Sequence, residues 1–178
     1  MTELMIDLET MSLRPNAAIV SIGAVFFDLE AGSLGPTFHQ VVSLTDCQAN
    51  GLHIDELTAK WWEGQSPEAK SSWDQSKAEN LEESLVKFNQ FVFGQTVEPK
   101  PWSNGAGFDL IVMQEAYRAR GMSPPWRYYH QMCYRTIRNL APDFVPPDRT
   151  DVKHNALDDA IYQATTLIDM MKILRDRP

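Results

Sequence analysis

The sequence predicts an α/β domain built on a central mixed β-sheet flanked by α-helices. Two observations carry this. Three strand-like segments joined by short turns open the chain, which suggests an antiparallel meander. The second half then mixes a short apolar run with helical periodicity and closes on a long helix.

Taken in order, the first strand is "LMIDLETM" at 4–11, whose apolar residues are interrupted by Asp7 and Glu9. "AIVSIGAVFFD" at 18–28 is β-branched and apolar and forms the second. "EAGSLGP" at 30–36 reads as a turn, and "TFHQVVSL" at 37–44 as the third strand. A mixed region with Trp61, Trp62 and Trp73 follows. Residues 78–93 place Leu81, Leu85, Phe88 and Val92 at helical spacing. "KPWSNG" at 100–105 is a short strand leaving into a Gly-rich turn, and 108–121 is a helix ended by Gly121. "MSPPWRYY" and "APDFVPPDRT" are Pro-rich loops. Residues 154–177 form the last helix, with an apolar stripe of Leu157, Ile161, Ala164, Ile168 and Met171.

The 178 residues fit one domain, expected over 1–178. No apolar run approaches the roughly 18 residues that cross a bilayer, so no membrane partner is expected. "MTELMIDLE" lacks the basic region of a secretory signal, and Cys47 and Cys133 form no CxxC pair. Reduced thiols in a cytosolic protein are the expectation. The net charge of −8 argues against a nucleic-acid partner only if no acid binds a cation, because a bound metal reverses the local field.

The acids fall in three places. Asp7 and Glu9 are two apart on a strand and share a face. Periodicity leaves that face either as a solvent-exposed edge or as a site. Asp109 follows "SNGAGF" and opens a helix, where capping alone explains an acid. His154 precedes the last helix, with Asp158 and Asp159 in its first turn. The stripe does not choose between those two.

Together, D-x-E on a first strand, Asp opening a middle helix and H-x(4)-D at the start of the last helix resemble the DEDD superfamily of 3'→5' exonucleases, histidine subtype, with its ribonuclease-H-like fold. The tyrosine subtype would need Tyr at the position of Asn155. "NGAGFD", "KWWEGQSPEA", "PWRYY" and "HNALDDAIYQA" are similar to phage and prophage exonucleases of the exodeoxyribonuclease VIII-like kind, nearly end to end. The resemblance implies Asp7, Glu9, Asp109 and Asp159 as ligands of two Mg²⁺ ions, replaceable by Mn²⁺, and His154 as general base. It implies cleavage from the 3' end of single-stranded DNA or RNA to nucleoside 5'-monophosphates, DNA preferred, with an exoribonuclease as the alternative. It further implies action in the cytoplasm of a bacterial host as a phage- or prophage-encoded enzyme, and by analogy a homodimer.

That chemistry answers the strand's two carboxylates. Two divalent ions about 4 Å apart stabilise charge on the attacking and leaving oxygens and offset the repulsion between the acids. The resemblance implies that Thr10 and Met11 meet the terminal nucleotide through backbone amides and an apolar wedge, with plain strand-end packing as the alternative, and that Phe108 supports its base, with burial under the helix start as the alternative. Adjacent helical tryptophans point about 100° apart, so Trp61 and Trp62 cannot both be central core residues. Trp62 is placed with the substrate-binding set. In "PWRYY", Arg127 for phosphate and Trp126 or Tyr128 for stacking compete with plain loop packing. Two other classes are weighed: a binding protein without turnover, which the intact acids and histidine disfavour, and a structural Ca²⁺ site, which the lack of a D-x-D-x-D-G loop disfavours.

Overall fold

The computed structural model describes residues 1–149 and 151–176. Five strands form one mixed sheet: β1 (Glu3–Thr10), β2 (Ile19–Asp28), β3 (Ser33–Val41), β4 (Lys100–Ser103) and β5 (Met132–Cys133), in the order β3-β2-β1-β4-β5. The opening meander is antiparallel, while β4 runs parallel to β1 and β5 parallel to β4. β1 is therefore central and covered on both faces.

Alternation along β1 decides what each face meets. Leu4, Ile6 and Leu8 enter the larger core beneath α1 (Leu44–Ala49), α2 (Glu56–Glu63), α4 (Leu81–Phe93) and α5 (Asp109–Ala119). In α4 the buried residues include the expected Leu81, Leu85, Phe88 and Val92. Met5 enters a second core under α6 (Tyr134–Leu140) and α7 (Ala156–Arg175). A short α3 (Pro67–Ser71) lies between α2 and α4 in the chain.

Three sequence expectations change. β3 starts at Ser33, because the reversal is tighter than expected: the Gly32 amide donates to the Asp28 carbonyl and Asp28 Oδ1 takes the amides of Glu30 and Ala31. Pro36 is tolerated inside β3 because the strand is at the sheet edge. The short β5 and α6, which carry too few apolar residues to show a period, emerge from a stretch without predicted structure. On α7 the stripe is rotated: Ala156, Ala160, Ala164 and Leu167 are buried, while Leu157, Ile161 and Met171 are only partly so. Small side chains let this helix come close to the sheet. Gly23 completes that approach from the other side, since a Cβ there would lie 2.1 Å from the Ala156 carbonyl carbon. Gly23 is the β2 residue directly opposite Asp7.

Among the described residues, no helix is long and apolar enough to cross a membrane. Both cysteines are free thiols, and burial pushes Cys47 up to about 12.

Candidate active site

β1 pairs with β4 only through Glu3, Leu4 and Met5. Beyond Met5 the two strands part, leaving an opening at the carboxyl ends of parallel strands, where α/β sheets place their sites. On the other side of β1 the register with β2 slips between Glu9 and Thr10, a bulge that ends regular pairing at the same height.

Four acids and a histidine meet at this opening. Asp7 and Glu9 project from the face covered by α7. Asp109 is held neither as a cap nor toward solvent: it is 5% exposed, and its Oδ1 accepts the Leu8 amide at 3.2 Å, the amide freed where β4 leaves. Asn155 caps α7 by accepting from the Leu157 and Asp158 amides, which sets Asp159 in the first turn. Ligand atoms of Glu9, His154 and Asp159 all lie within 4.8 Å of one another. Asp158 is outside that group, as are Asp7 and Asp109, but Asp7 and Asp109 share the repulsion with Glu9 and Asp159 and Asp158 does not, which chooses between the two adjacent acids.

The carboxylates disfavour one another's charge. Asp7 is held well above the usual carboxylate range by enclosure and then by Asp109, Glu9 and Asp159, against a 2.7 Å hydrogen bond from Gln163 Nε2. Burial first, then Asp159 and Asp109, pushes Glu9 up to about 8. Burial lifts Asp109 to about 6, opposed by its backbone hydrogen bond from Leu8. Clustered, desolvated carboxylate oxygens of this kind fit a hard divalent cation, which takes oxygen ligands and removes the repulsion. Asp159 is also engaged by protein groups: Oδ2 accepts the His154 amide at 3.1 Å and Oδ1 accepts from Arg149. The Arg149 guanidinium also bonds Asp151 at 2.7 Å and stacks 4.6 Å above the Tyr162 ring.

Two compartments meet at Glu9. The polar one, about 310 Å³, contains Asp7, Glu9, His154 and Asp159 and is walled by Arg138 and Arg149. The apolar one, about 490 Å³, is a cleft bordered by Thr10, Leu13, Leu57, Trp61, Trp62 and Phe108. Leu13 and Leu57 are 82% and 78% exposed, unusual for leucine and unexplained by packing.

Several expected substrate residues are placed differently. Met11 is buried, its amide bonds the Ala18 carbonyl at 2.9 Å, and it is not part of the cleft wall, so neither the amide nor the wedge assigned to it is free. Leu13, two residues on, holds the exposed position. Trp62 is 2% exposed, with Nε1 donating to the Thr10 carbonyl at 3.0 Å. It is a core residue that also borders the cleft, and the exposed indole is that of Trp61. Thr10 is nearly buried, with its hydroxyl on the Ser12 carbonyl, while Phe108 is half-buried at the cleft. Trp126 is core, between Phe88 and Tyr117, and Tyr128 is exposed.

Sequence reasoning missed Gln163, Gly23, Arg138 and Arg149. Gln163 was within reach, since it lies one helical turn beyond Asp159 on the same face. A lone glycine inside a strand is a signal of close approach. Arg149 sits in a Pro-rich loop with no periodicity to mark it.

This sheet and this clustered acid site define a DEDDh-type nuclease of the ribonuclease-H-like fold, a class that depends on divalent metal. Residues 2–171 match the family described as the 3'-5' exoribonuclease Rv2179c-like domain, and the chain belongs to that family and to the DEDD exonuclease superfamily. It is a hydrolase of the 3'→5' exonuclease class. It is 25% identical over 205 residues to the exodeoxyribonuclease of Enterobacteria phage T4, covering 97% of this chain and 88% of that protein. The fold is shared by many solved structures, among them these two. Cell-death related nuclease 4 (CRN-4) has a TM-score of 0.66 at 13% identity, over 96% of this chain but 64% of its own length. The nuclease domain of 3'hExo, a DEDDh family member bound to rAMP, has a TM-score of 0.64 at 14% identity, over 96% and 92%.

Proposed function

We propose that this chain is a single-domain exonuclease that hydrolyses the last phosphodiester bond at the 3' end of single-stranded nucleic acid, DNA preferred, releasing a nucleoside 5'-monophosphate. The observation that carries this is the meeting of Asp7, Glu9, Asp109, His154 and Asp159, from β1, α5 and the start of α7, beside an apolar cleft. The family match over residues 2–171 supports one domain.

Asp7, Glu9, Asp109 and Asp159 would hold two divalent ions, proposed as Mg²⁺, which when bound supply charge stabilisation at the attacking and leaving oxygens. The rest is done by the chain. The cleft seats the terminal nucleobase between Leu13, Leu57 and Phe108 and excludes water from one side of the scissile bond. Glu9, shared by both compartments, sets the height at which the phosphate enters. His154 takes a proton from the attacking water as general base. Arg138 and Arg149 give the phosphate cationic neighbours in a protein whose net charge is −8.

Similarity to the T4 exodeoxyribonuclease supports DNA. A second reading, RNA, is supported by the family's description and by the rAMP bound to 3'hExo. Action in a bacterial cell, from a phage or prophage gene, follows the T4 similarity, and a homodimer is proposed by analogy and checked by light scattering. The main test is digestion of matched single- and double-stranded DNA and RNA, each end-labelled, with Mg²⁺, Mn²⁺ or EDTA. Mononucleotides released from the 3' end of single-stranded DNA, only with metal, are expected. Internal cuts, or release from the 5' end, would refute the proposal.

A further inference from the structure

Trp61 has neighbours of two kinds. On one side its indole walls the apolar cleft with Leu13, Leu57 and Phe108. On the other, its ring lies 4.9 Å from the His154 imidazole, edge to face at 86°. Behind it, Trp62 gives firm support: their centroids are 5.1 Å apart, and Trp62 is pinned by the Thr10 carbonyl and by the Trp73 ring at 5.3 Å. Trp61 is therefore backed by core although it is 45% exposed.

His154 is in the opposite condition. Its φ is 62°, the only positive value for a non-glycine among the described residues, and such a backbone persists only where its surroundings hold it. The hydrogen bond from its amide to Asp159 fixes the chain but leaves the side-chain torsions free. Among the described residues no hydrogen bond reaches the ring nitrogens; a ring nitrogen lies within 4.8 Å of the Glu9 and Asp159 carboxylates, and the ring's aromatic neighbours are the two indoles, Trp62 at 6.3 Å being the more distant. Edge-to-face aromatic contacts are directional, so the indole of Trp61 favours one imidazole orientation.

We propose that Trp61 is a positioning residue for His154: its indole sets the imidazole against Glu9 and Asp159, and a nucleobase seated in the cleft tightens that setting through the same ring. The inference rests on the nuclease reading above, but one arm of its test does not. In that arm, proton–nitrogen NMR of the His154 imidazole is recorded for wild type, Trp61→Ala and Trp61→Phe. The alanine variant shifts and broadens the ring signals at unchanged circular dichroism, and phenylalanine restores much of the sharpness. Ring signals identical in wild type and Trp61→Ala would overturn the proposal. If the alanine variant does not fold, Trp61→Met is measured in its place.

The second arm is single-turnover cleavage of two oligonucleotides, one intact and one whose 3' nucleotide lacks its base. A displaced general base slows both, by about tenfold or more in Trp61→Ala, with the larger effect on the intact substrate. Loss confined to the base-bearing oligonucleotide, and visible only in the enzyme concentration that gives half-maximal rate, would make Trp61 a simple stacking platform and sink the idea. A wild type that cleaves neither oligonucleotide counts against the nuclease reading instead, and leaves the NMR arm to decide.

Discussion

The two faces of β1 make opposite use of the same burial. On one, Leu4, Ile6 and Leu8 pack under α4 and α5 and bring no polar side-chain atom of their own. On the other, Met5 begins in the same way, but Asp7 and Glu9 follow, under a helix whose first turn adds Asp159. The first face is the ordinary solution of a buried strand. The second is at odds with itself: its carboxylates raise each other's pKa, and Gln163 and Arg149 answer only part of their charge. Packing dominates one face of the strand, and the paired acids dominate the carboxyl half of the other.

Substitutions that separate the faces sharpen this contrast. Asp7→Ala or Asp159→Asn removes a carboxylate from the acid face. Loss of a metal-held charge amounts to several kcal/mol at the transition state, or about a thousandfold in rate, and turnover assays should show it with melting temperature held or raised. Normal turnover in either variant would break the two-metal reading. Gly23→Ala should harm both properties. Its methyl would have to displace the Ala156 backbone, so about 1–3 kcal/mol of overpacking and a marked fall in rate are expected from denaturation and kinetics together. Ile6→Ala, on the apolar face, should cost about 2–5 kcal/mol while leaving the rate per folded molecule close to wild type; a proportionate loss of rate would erase the distinction between the faces.

Acidity tests the same division more gently. Without metal, Glu9 is raised from 4.5 to about 8, so across that window the folded chain binds more protons than the unfolded one. Stability then falls as pH rises from 4.5 to 8, and is greatest below it. Melting in EDTA should follow that slope, and Mg²⁺ at pH 8 should reverse it by binding the folded form. A flat profile would mean the acids are better solvated than their burial implies. The smallest effect belongs to Asp158→Asn. This acid is neither in the Glu9, His154 and Asp159 group nor among the acids that raise Asp7 or Glu9, and its loss should change rate little and stability by about 0.5 kcal/mol or less.

Much of the fold was legible in advance, because it depends on local pattern. Alternation marks β1, a continuous β-branched apolar run marks β2, helical spacing marks α4 and α7, and a closing glycine marks α5. β5 and α6 were not legible, being two and seven residues long in a polar stretch. Around the acids, motif spacing named residues that the fold does bring together, yet it could not say which side chains near them were free. Met11 and Trp62 were expected at the substrate and are committed to the interior, while Leu13 and Trp61, close by, hold the exposed places.

By itself, then, the sequence determined the kinds of residue available and the order of the elements that carry them, since both follow from interactions between near neighbours along the chain. Only the tertiary structure decided that Asp109 would bond the amide freed where β1 and β4 part. It alone decided that Gly23 would admit the start of α7, and that Asp159 rather than Asp158 would face Glu9. Those outcomes depend on distances between segments more than a hundred residues apart, set by how closely a helix can approach a sheet, and no local pattern encodes that.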